Sequence, residues 1–207
     1  MNNKAVIFDL DGTLYDRRGL ALRMVARDPR HIFMMVRERR VRRSLAGRAF
    51  AGKEEFYDTF LNELSKMSGK RVKDVEKWYF GTYMQNMVDI LGKHYKVRPW
   101  VRREIEKLHS VGMKVAVLSD YAFVREKLRA IGIAAGNFDL VADAPSCGGL
   151  KPCEDTFLKM AEDLQVLPAD ILVVGDRDDT DGEGARNSGM RFLPVDEYIA
   201  LNSDDKR

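Results

Sequence analysis

The feature that most constrains the fold is the alternation of short apolar runs with helical patterns. Between the runs, apolar residues recur at helical spacing, as at Val101, Ile105 and Leu108. Five runs have the length and composition of buried strands: Ala5 to Phe8, Lys114 to Leu118, Leu140 to Ala142, Ile171 to Val174 and Arg191 to Val195. Such alternation is typical of a parallel sheet with crossover helices. The sequence therefore predicts a doubly wound α/β fold.

The interval between the first and second apolar runs is too long for one crossover connection. Residues 16 to about 98 have a helical pattern throughout, with one apolar stripe at Phe56, Phe60, Leu64 and Met67. We therefore expect an α/β core formed by residues 1–15 and 98–207, with a helical cap subdomain inserted at residues 16–97. The polar end of the chain, Ser203 to Arg207, is expected to fray.

Composition is compatible with this organisation. The chain has 207 residues, of which 45% are hydrophobic, enough for a core domain and a subdomain. No apolar run is long enough to cross a bilayer. The two cysteines, Cys147 and Cys153, are too few for a disulfide framework. We expect a soluble, cytoplasmic protein with reduced thiols and no membrane partner.

Polar side chains follow the predicted strands at the edge where open parallel sheets bind ligands. Two neighbouring carboxylates after the first strand raise the free energy of ionising each other unless a cation lies between them. The residues concerned are Asp9, Asp11, Gly12 and Thr13 after the first strand, Ser119 and Asp120 after the second, Lys151 ahead of a helix, and Asp176 and Asp181 after the fourth strand. Carboxylates, a hydroxyl and a lysine should therefore meet at one edge.

These segments resemble, in order, the four motifs of the haloacid dehalogenase superfamily phosphohydrolases. The motifs are DLDGT at residues 9–13, Ser119 in VAVLSDY, Lys151 in LKP and GDRDDTD at residues 175–181. Four motifs in order, three of them after predicted strands, are highly specific. The resemblance spans about residues 1–15 and 98–200 and implies a Rossmann-like core. The cap resembles the family only in its position and helicity, so it leaves the substrate open.

Phosphoryl-transfer chemistry and the resemblance together suggest catalytic roles for the first motif. Asp9 would be the nucleophile that forms an aspartyl-phosphate. Asp11 would protonate the leaving alcohol and then take a proton from the attacking water. Mg²⁺ is the implied cofactor because it prefers hard oxygen ligands, and the family pattern binds it through Asp9, the backbone carbonyl of Asp11 and Asp176.

The other motifs would bind phosphate and support the site. Ser119 and the backbone N–H of Asp120 would hold phosphate oxygens, and Lys151 would stabilise the negative transition state. Thr13 is expected to fix the turn of the first motif by a side-chain hydrogen bond. Asp181 matches the second acidic position of the fourth motif. The resemblance thus predicts a Mg²⁺-dependent phosphatase acting on a small-molecule phosphate ester.

Other activities remain open at this stage. Haloacid dehalogenases and phosphonatases characteristically lack an aspartate at the position of Asp11, so this residue favours phosphate-ester chemistry. A phosphomutase acting on a sugar phosphate would share every core motif. A third hypothesis, from another functional class, is a non-catalytic binding or regulatory module. The intact core motifs argue against that module.

The arginine content of the predicted cap is the remaining unusual feature. Residues 17–43 hold ten arginines against Asp28 and Glu38, so this stretch carries +8 and the rest of the chain −5. A helix from about Met34 would place Arg39, Arg40 and Arg43 opposite its apolar face. These arginines could form a solvated face, recruit a polyanionic or carboxylated phosphate ester, or dock nucleic acid or a protein. No nucleic-acid motif or interleaved aromatic platform supports a nucleic-acid partner.

Overall fold

A computed structural model describes residues 3–203 of the chain. Its strands are β1 (Ala5–Asp9), β2 (Lys114–Ser119), β3 (Leu140–Asp143), β4 (Ile171–Gly175) and β5 (Arg191–Pro194). Its α-helices are α1 (Leu20–Arg27), α2 (Ile32–Leu45), α3 (Lys53–Ser68), α4 (Val72–Trp78), α5 (Gln85–His94), α6 (Trp100–Ser110), α7 (Val124–Ala130), α8 (Glu154–Leu164), α9 (Glu183–Asn187) and α10 (Val195–Ser203). Short π-helical segments at Tyr79–Met84 and Asp178–Gly182 precede α5 and α9.

The strands form one parallel sheet in the order β3-β2-β1-β4-β5. The predicted α/β class and parallel sheet are confirmed. The fifth predicted strand was one residue too long, because Val195 begins α10. Since every strand runs in the same direction and β1 is central, the residues after β1, β2 and β4 meet at one edge.

Alternate residues of β1 enter the two hydrophobic layers that enclose the sheet. Val6 and Phe8 belong to the larger buried cluster, in which the Phe8 ring lies 5.9 Å from that of Trp100 on α6. Ala5 and Ile7 belong to the second cluster, with apolar residues of α8 and α9. A strand buried on both faces explains the uninterrupted apolar run in the sequence.

The inserted helical segment, residues 16–97, contains α1 to α5. Its apolar stripe packs into the larger cluster, with Phe56, Phe60 and Leu64 fully buried. Helix α2 is amphipathic as predicted, because Met34, Val41 and Leu45 are buried whereas Arg39, Arg40 and Arg43 are exposed. That this segment is a separate cap subdomain stays a prediction.

Three further expectations concern the thiols, the membrane and the chain end. Cys147 and Cys153 are both buried and free. Within residues 3–203, no helix has the length and apolar character that a membrane span requires. Of the stretch expected to fray, Ser203 ends α10, and the remainder lies outside the described residues.

Candidate active site

Asp9 is the last residue of β1, and its side chain sits at the carboxyl edge of the sheet. The residue is only 7% exposed. One carboxylate oxygen, Oδ1, accepts a hydrogen bond from Lys151 Nζ at 2.7 Å. The other oxygen, Oδ2, is buried and has no hydrogen-bond partner among the described residues. A buried carboxylate oxygen without a donor is costly, so this atom points to a ligand or a cation.

Lys151 links three of the predicted acidic residues. Its ammonium contacts Asp9 and, at 2.6 Å, Asp181 Oδ1, and its backbone N–H donates to Asp120 Oδ1 at 3.0 Å. Burial by itself would lower the pKa of Lys151, but the charges of Asp181, Asp9 and Asp120 raise it well above its usual value. Burial raises the pKa of Asp181 to about 7 despite the opposing effect of Lys151. The surrounding carboxylates therefore favour the ammonium form of Lys151 beside Asp9.

Asp11 lies at the centre of a second cluster. Its Oδ1 accepts a hydrogen bond from the Tyr15 hydroxyl at 2.5 Å, and its Oδ2 accepts one from the Ser119 hydroxyl at 2.8 Å and another from Lys127. Burial raises the pKa of Asp11, but the Lys127 ammonium and the hydrogen bonds from Lys127, Tyr15 and Ser119 lower it below its ordinary value. The surroundings therefore stabilise ionised Asp11.

The loop after β1 brings Asp176 against the backbone of Gly12. Gly12 has φ of 117°, a conformation that favours glycine, and a Cβ at this position would overlap the Asp176 carboxylate. Arg98 donates a hydrogen bond to the Gly12 carbonyl at 2.8 Å. The predicted hydrogen bond from Thr13 was wrong, because its hydroxyl is fully buried and has no partner among the described residues. Main-chain bonds and Arg98 hold the turn instead.

The acidic residues fit a divalent cation. Asp9, Asp176 and Asp181 each offer an oxygen atom within 4.8 Å of the others. Asp176 pairs with Arg17 at 3.1 Å and is partly exposed. Burial and the Asp9 charge raise the pKa of Asp176. Three crowded carboxylates with one unpartnered oxygen suit a hard cation such as Mg²⁺. The backbone carbonyl of Asp11, predicted as a further ligand, stays a prediction.

The structure therefore brings the sequence-predicted residues to one edge of the sheet. Two groups are directly connected: Asp9, Asp120, Lys151 and Asp181 through the lysine, and Asp11 with Ser119 through a hydroxyl. Asp176 lies close enough to Asp9 and Asp181 of the first group to share a cation with them. The assigned chemical roles stay predictions.

Lys127 was missed by sequence reasoning. It is fully buried on α7 and contacts both Asp11 and Ser119, the latter at 3.2 Å. The available signal was its position three residues after Val124 and four before Ile131, within the apolar stripe of a helix. A lysine in an apolar stripe needs a buried acceptor or anion.

Arg42 was also missed. This buried arginine donates hydrogen bonds to Glu38 Oε1 at 2.5 Å, to the backbone carbonyl of Asp120 at 2.8 Å and to the Tyr79 hydroxyl. Glu38 and Arg42 lie on the buried side of α2 at a spacing of four residues. Arg42 thereby connects the inserted helical segment to the loop that follows β2.

Comparisons with known proteins agree with the α/β fold. A search of curated protein sequences finds no significant match. Similar solved structures include a protein predicted to be a phosphoglycolate phosphatase from Haemophilus somnus 129pt, which is 21% identical over 94% of this chain and 85% of that chain, with a TM-score of 0.65. YfnB from Bacillus subtilis, a protein assigned as a HAD hydrolase and bound to magnesium, is 16% identical over 93% of this chain and 88% of that chain, with a TM-score of 0.62.

A protein assigned as a beta-phosphoglucomutase from Thermotoga maritima is 19% identical, with 99% of both chains covered and a TM-score of 0.60. Haloacid dehalogenases also match in structure. At these identities the likeness shows the fold alone. A family model of haloacid dehalogenase-like hydrolases, however, matches residues 3–189. Because that match spans most of the sequence, the chain belongs to the haloacid dehalogenase-like hydrolases.

Proposed function

We propose that the protein is a Mg²⁺-dependent phosphatase that hydrolyses a small phosphate monoester through an aspartyl-phosphate on Asp9. The observation that supports this most is the state of Asp9 itself. One of its oxygens accepts a hydrogen bond from the Lys151 ammonium, and the other is buried and has no donor among residues 3–203. A fixed carboxylate with one free oxygen is the arrangement that a nucleophile requires.

The proposed reaction has two displacements. In the first, an Asp9 oxygen bonds to phosphorus, the bond from phosphorus to the alcohol oxygen breaks, and Asp11 gives that oxygen a proton. In the second, water attacks phosphorus, Asp11 takes a proton from the water, and inorganic phosphate leaves. The Lys127 ammonium and the Tyr15 hydroxyl favour ionised Asp11, which is the form that accepts a proton from water in the second displacement. For the first displacement Asp11 must therefore take up a proton as the ester binds, for example from a monoanionic phosphate group, before it protonates the alcohol oxygen.

The cation is proposed on the chemistry of the carboxylates. Asp9, Asp176 and the backbone carbonyl of Asp11 would hold Mg²⁺, which would supply positive charge to the phosphate oxygens. Lys151 contributes a second positive charge from the protein, and Ser119 with the backbone N–H of Asp120 would bind the remaining phosphate oxygens. The buried free thiols are consistent with the cytoplasmic location that we also propose.

Asp11 favours ester hydrolysis over dehalogenation, since an alkoxide leaving group needs a proton and a halide does not. A phosphomutase is the second candidate, because arginines in the cleft above the site could hold a second phosphate. A mutase returns an isomeric ester, whereas a phosphatase releases inorganic phosphate. Product analysis therefore separates the two.

The test is to trap the intermediate. Wild type, Asp9→Asn and Asp11→Asn are incubated with an aryl phosphate and Mg²⁺, or with EDTA, and quenched for peptide mass spectrometry. We expect wild type to turn over only with Mg²⁺, Asp9→Asn to be inactive, and Asp11→Asn to accumulate one phosphate on the peptide carrying Asp9. Normal turnover by Asp9→Asn, a stable phosphate on Ser119, or full activity in excess EDTA would overturn the proposal.

A further inference from the structure

A large cleft lies between the inserted helical segment and the catalytic edge of the sheet. Its volume is about 750 Å³, and Asp11, Asp120 and Lys151 are among the residues that line it. The lining of the cleft is rich in positive charge. The lining arginines are Arg17, Arg18, Arg39, Arg42, Arg43 and Arg177. The cleft thus holds more positive charge than one phosphate group requires.

Most of these arginines are already neutralised by a carboxylate of the protein. The pairs are Arg17 with Asp176, Arg18 with Asp16, Arg42 with Glu38, and Arg177 with Asp179. Arg39 and Arg43 differ, because neither side chain makes an ion pair or a hydrogen bond with any of residues 3–203. Two cationic side chains of the cleft therefore have no directly bonded carboxylate among residues 3–203, although Arg39 is close enough to Glu38 to oppose the rise that burial causes in the pKa of Glu38.

The position of these two arginines is well defined. They are four residues apart on α2 and therefore project from the same side of the helix. Between them, Arg42 ties α2 to the Asp120 carbonyl, so the helix is anchored beside the proposed phosphate-binding loop. Lys151 is not available to bind a second anionic group of the substrate, because its ammonium is hydrogen-bonded to Asp9 and Asp181. The positive charge that no bonded carboxylate neutralises therefore lies on the α2 side of the cleft.

We propose, resting on the function proposed above, that the substrate is a phosphate monoester with a second anionic group, and that Arg39 and Arg43 bind this group. Guanidinium groups bind carboxylate and phosphate through paired hydrogen bonds, so both are ligands of the required chemistry. The scissile phosphate would lie at Asp9 while the second anion lies against α2. Phosphate esters of neutral alcohols would then be poorer substrates.

Helix α2 supplies a matched control for general charge effects. Arg40 is exposed on the same helix but does not line the cleft. If Arg39 and Arg43 were only solvated surface charges, the double variant Arg39→Gln/Arg43→Gln would have no more than about twice the effect of Arg40→Gln, since it removes two charges instead of one. If they bind substrate, only the double variant should change selectivity.

The kinetic test compares esters that differ by one anionic group: phosphoglycolate with ethyl phosphate, 3-phosphoglycerate with glycerol 3-phosphate, and a sugar bisphosphate with its monophosphate. In wild type, at least one anionic member should have a kcat/KM about tenfold or more above its neutral counterpart. The double variant should lose this preference through a higher KM, and Arg40→Gln should keep it. Equal kcat/KM within every pair, or an unchanged preference in the double variant, would overturn the inference.

A binding test does not depend on turnover and so separates this inference from the proposed function. Calorimetry at fixed free Mg²⁺ compares phosphonoacetate and methylenebisphosphonate with ethylphosphonate, none of which is a phosphate ester. Tighter binding of phosphonoacetate identifies a carboxylate subsite, and tighter binding of the bisphosphonate identifies a phosphate subsite. Either preference should disappear in Arg39→Gln/Arg43→Gln. Inactivity toward all esters would refute the phosphatase, whereas equal binding of the three phosphonates would refute the second-anion subsite.

Discussion

Replacing Arg42 by Met should destabilise the protein strongly. The guanidinium is buried and bonded to Glu38, the Asp120 carbonyl and the Tyr79 hydroxyl, and it lies 4.2 Å from the centre of the Tyr121 ring. Methionine occupies a similar volume but carries no charge and no donors. The substitution therefore removes a cation without leaving a large cavity.

The size of the destabilisation follows from the buried Glu38 charge that the substitution leaves without its cation. Glu38 is fully buried, and after the change its nearest remaining donor is the Tyr83 hydroxyl at 3.5 Å. Removing one partner of a buried ion pair costs about 3–5 kcal/mol because the remaining charge is uncompensated. Domains of this size have a total stability of about 5–15 kcal/mol. Arg42→Met should thus fold but unfold at a much lower urea concentration.

The loss should depend on pH with a definite sign. Burial raises the pKa of Glu38 above its ordinary value, and the Arg42 charge opposes that rise. Without Arg42 the folded-state pKa rises further, so folded Arg42→Met binds the Glu38 proton more tightly than the unfolded chain does. Its loss of stability should be largest above this raised pKa and should shrink as pH falls toward the ordinary Glu value, by at most about 1.4 kcal/mol per pH unit.

The assay is urea unfolding at pH 7.5 and pH 5, followed by tryptophan fluorescence. Arg40→Met, an exposed arginine on the same helix, is the control and should change stability by less than about 0.5 kcal/mol. The double variant Glu38→Gln/Arg42→Met removes the uncompensated charge and should recover much of the loss. The reasoning is refuted if Arg42→Met costs under about 1 kcal/mol at pH 7.5, or if the double variant is no more stable than Arg42→Met.

Three further predictions test the site. Asp176→Ala should abolish most turnover and the rise in melting temperature that Mg²⁺ causes. Its stability in EDTA should not fall, since the substitution relieves the repulsion between crowded carboxylates. If Mg²⁺ still raised the melting temperature, the assignment of Asp176 as a ligand would be contradicted. Gly12→Ala should lower the free energy of unfolding by about 1–3 kcal/mol and lower kcat, because its Cβ displaces Asp176. The control Gly69→Ala, at φ of 68° with open space around it, should lower stability to urea but leave kcat unchanged. Equal kcat values for the two variants would contradict this. Lys127→Met should shift the acid limb of the pH–rate profile to higher pH, because Lys127 lowers the pKa of Asp11. An acid limb at the wild-type pH would show that Lys127 does not control the ionisation of Asp11.

Much of the fold could be predicted from local sequence. β1 reads as an apolar run because both its faces are buried, and the direction of a parallel strand dictates where Asp9 lies. The amphipathic pattern of α2 likewise follows from helical periodicity. These features depend on neighbours along the chain, so a short window of sequence contains the necessary information.

Tertiary packing alone decided which groups surround the two aspartates. Lys127 is 116 residues from Asp11, and Arg42 is 78 residues from Asp120, yet each pair is in contact. Nothing in a local window specifies such a pairing, because it depends on how helices pack onto the sheet and how deeply the side chains are buried. The free energy of ionising each group also depends on how deeply it is buried. The sequence therefore determined where the carboxylates lie, and the tertiary structure decided which cations neutralise them and which arginines remain unpaired.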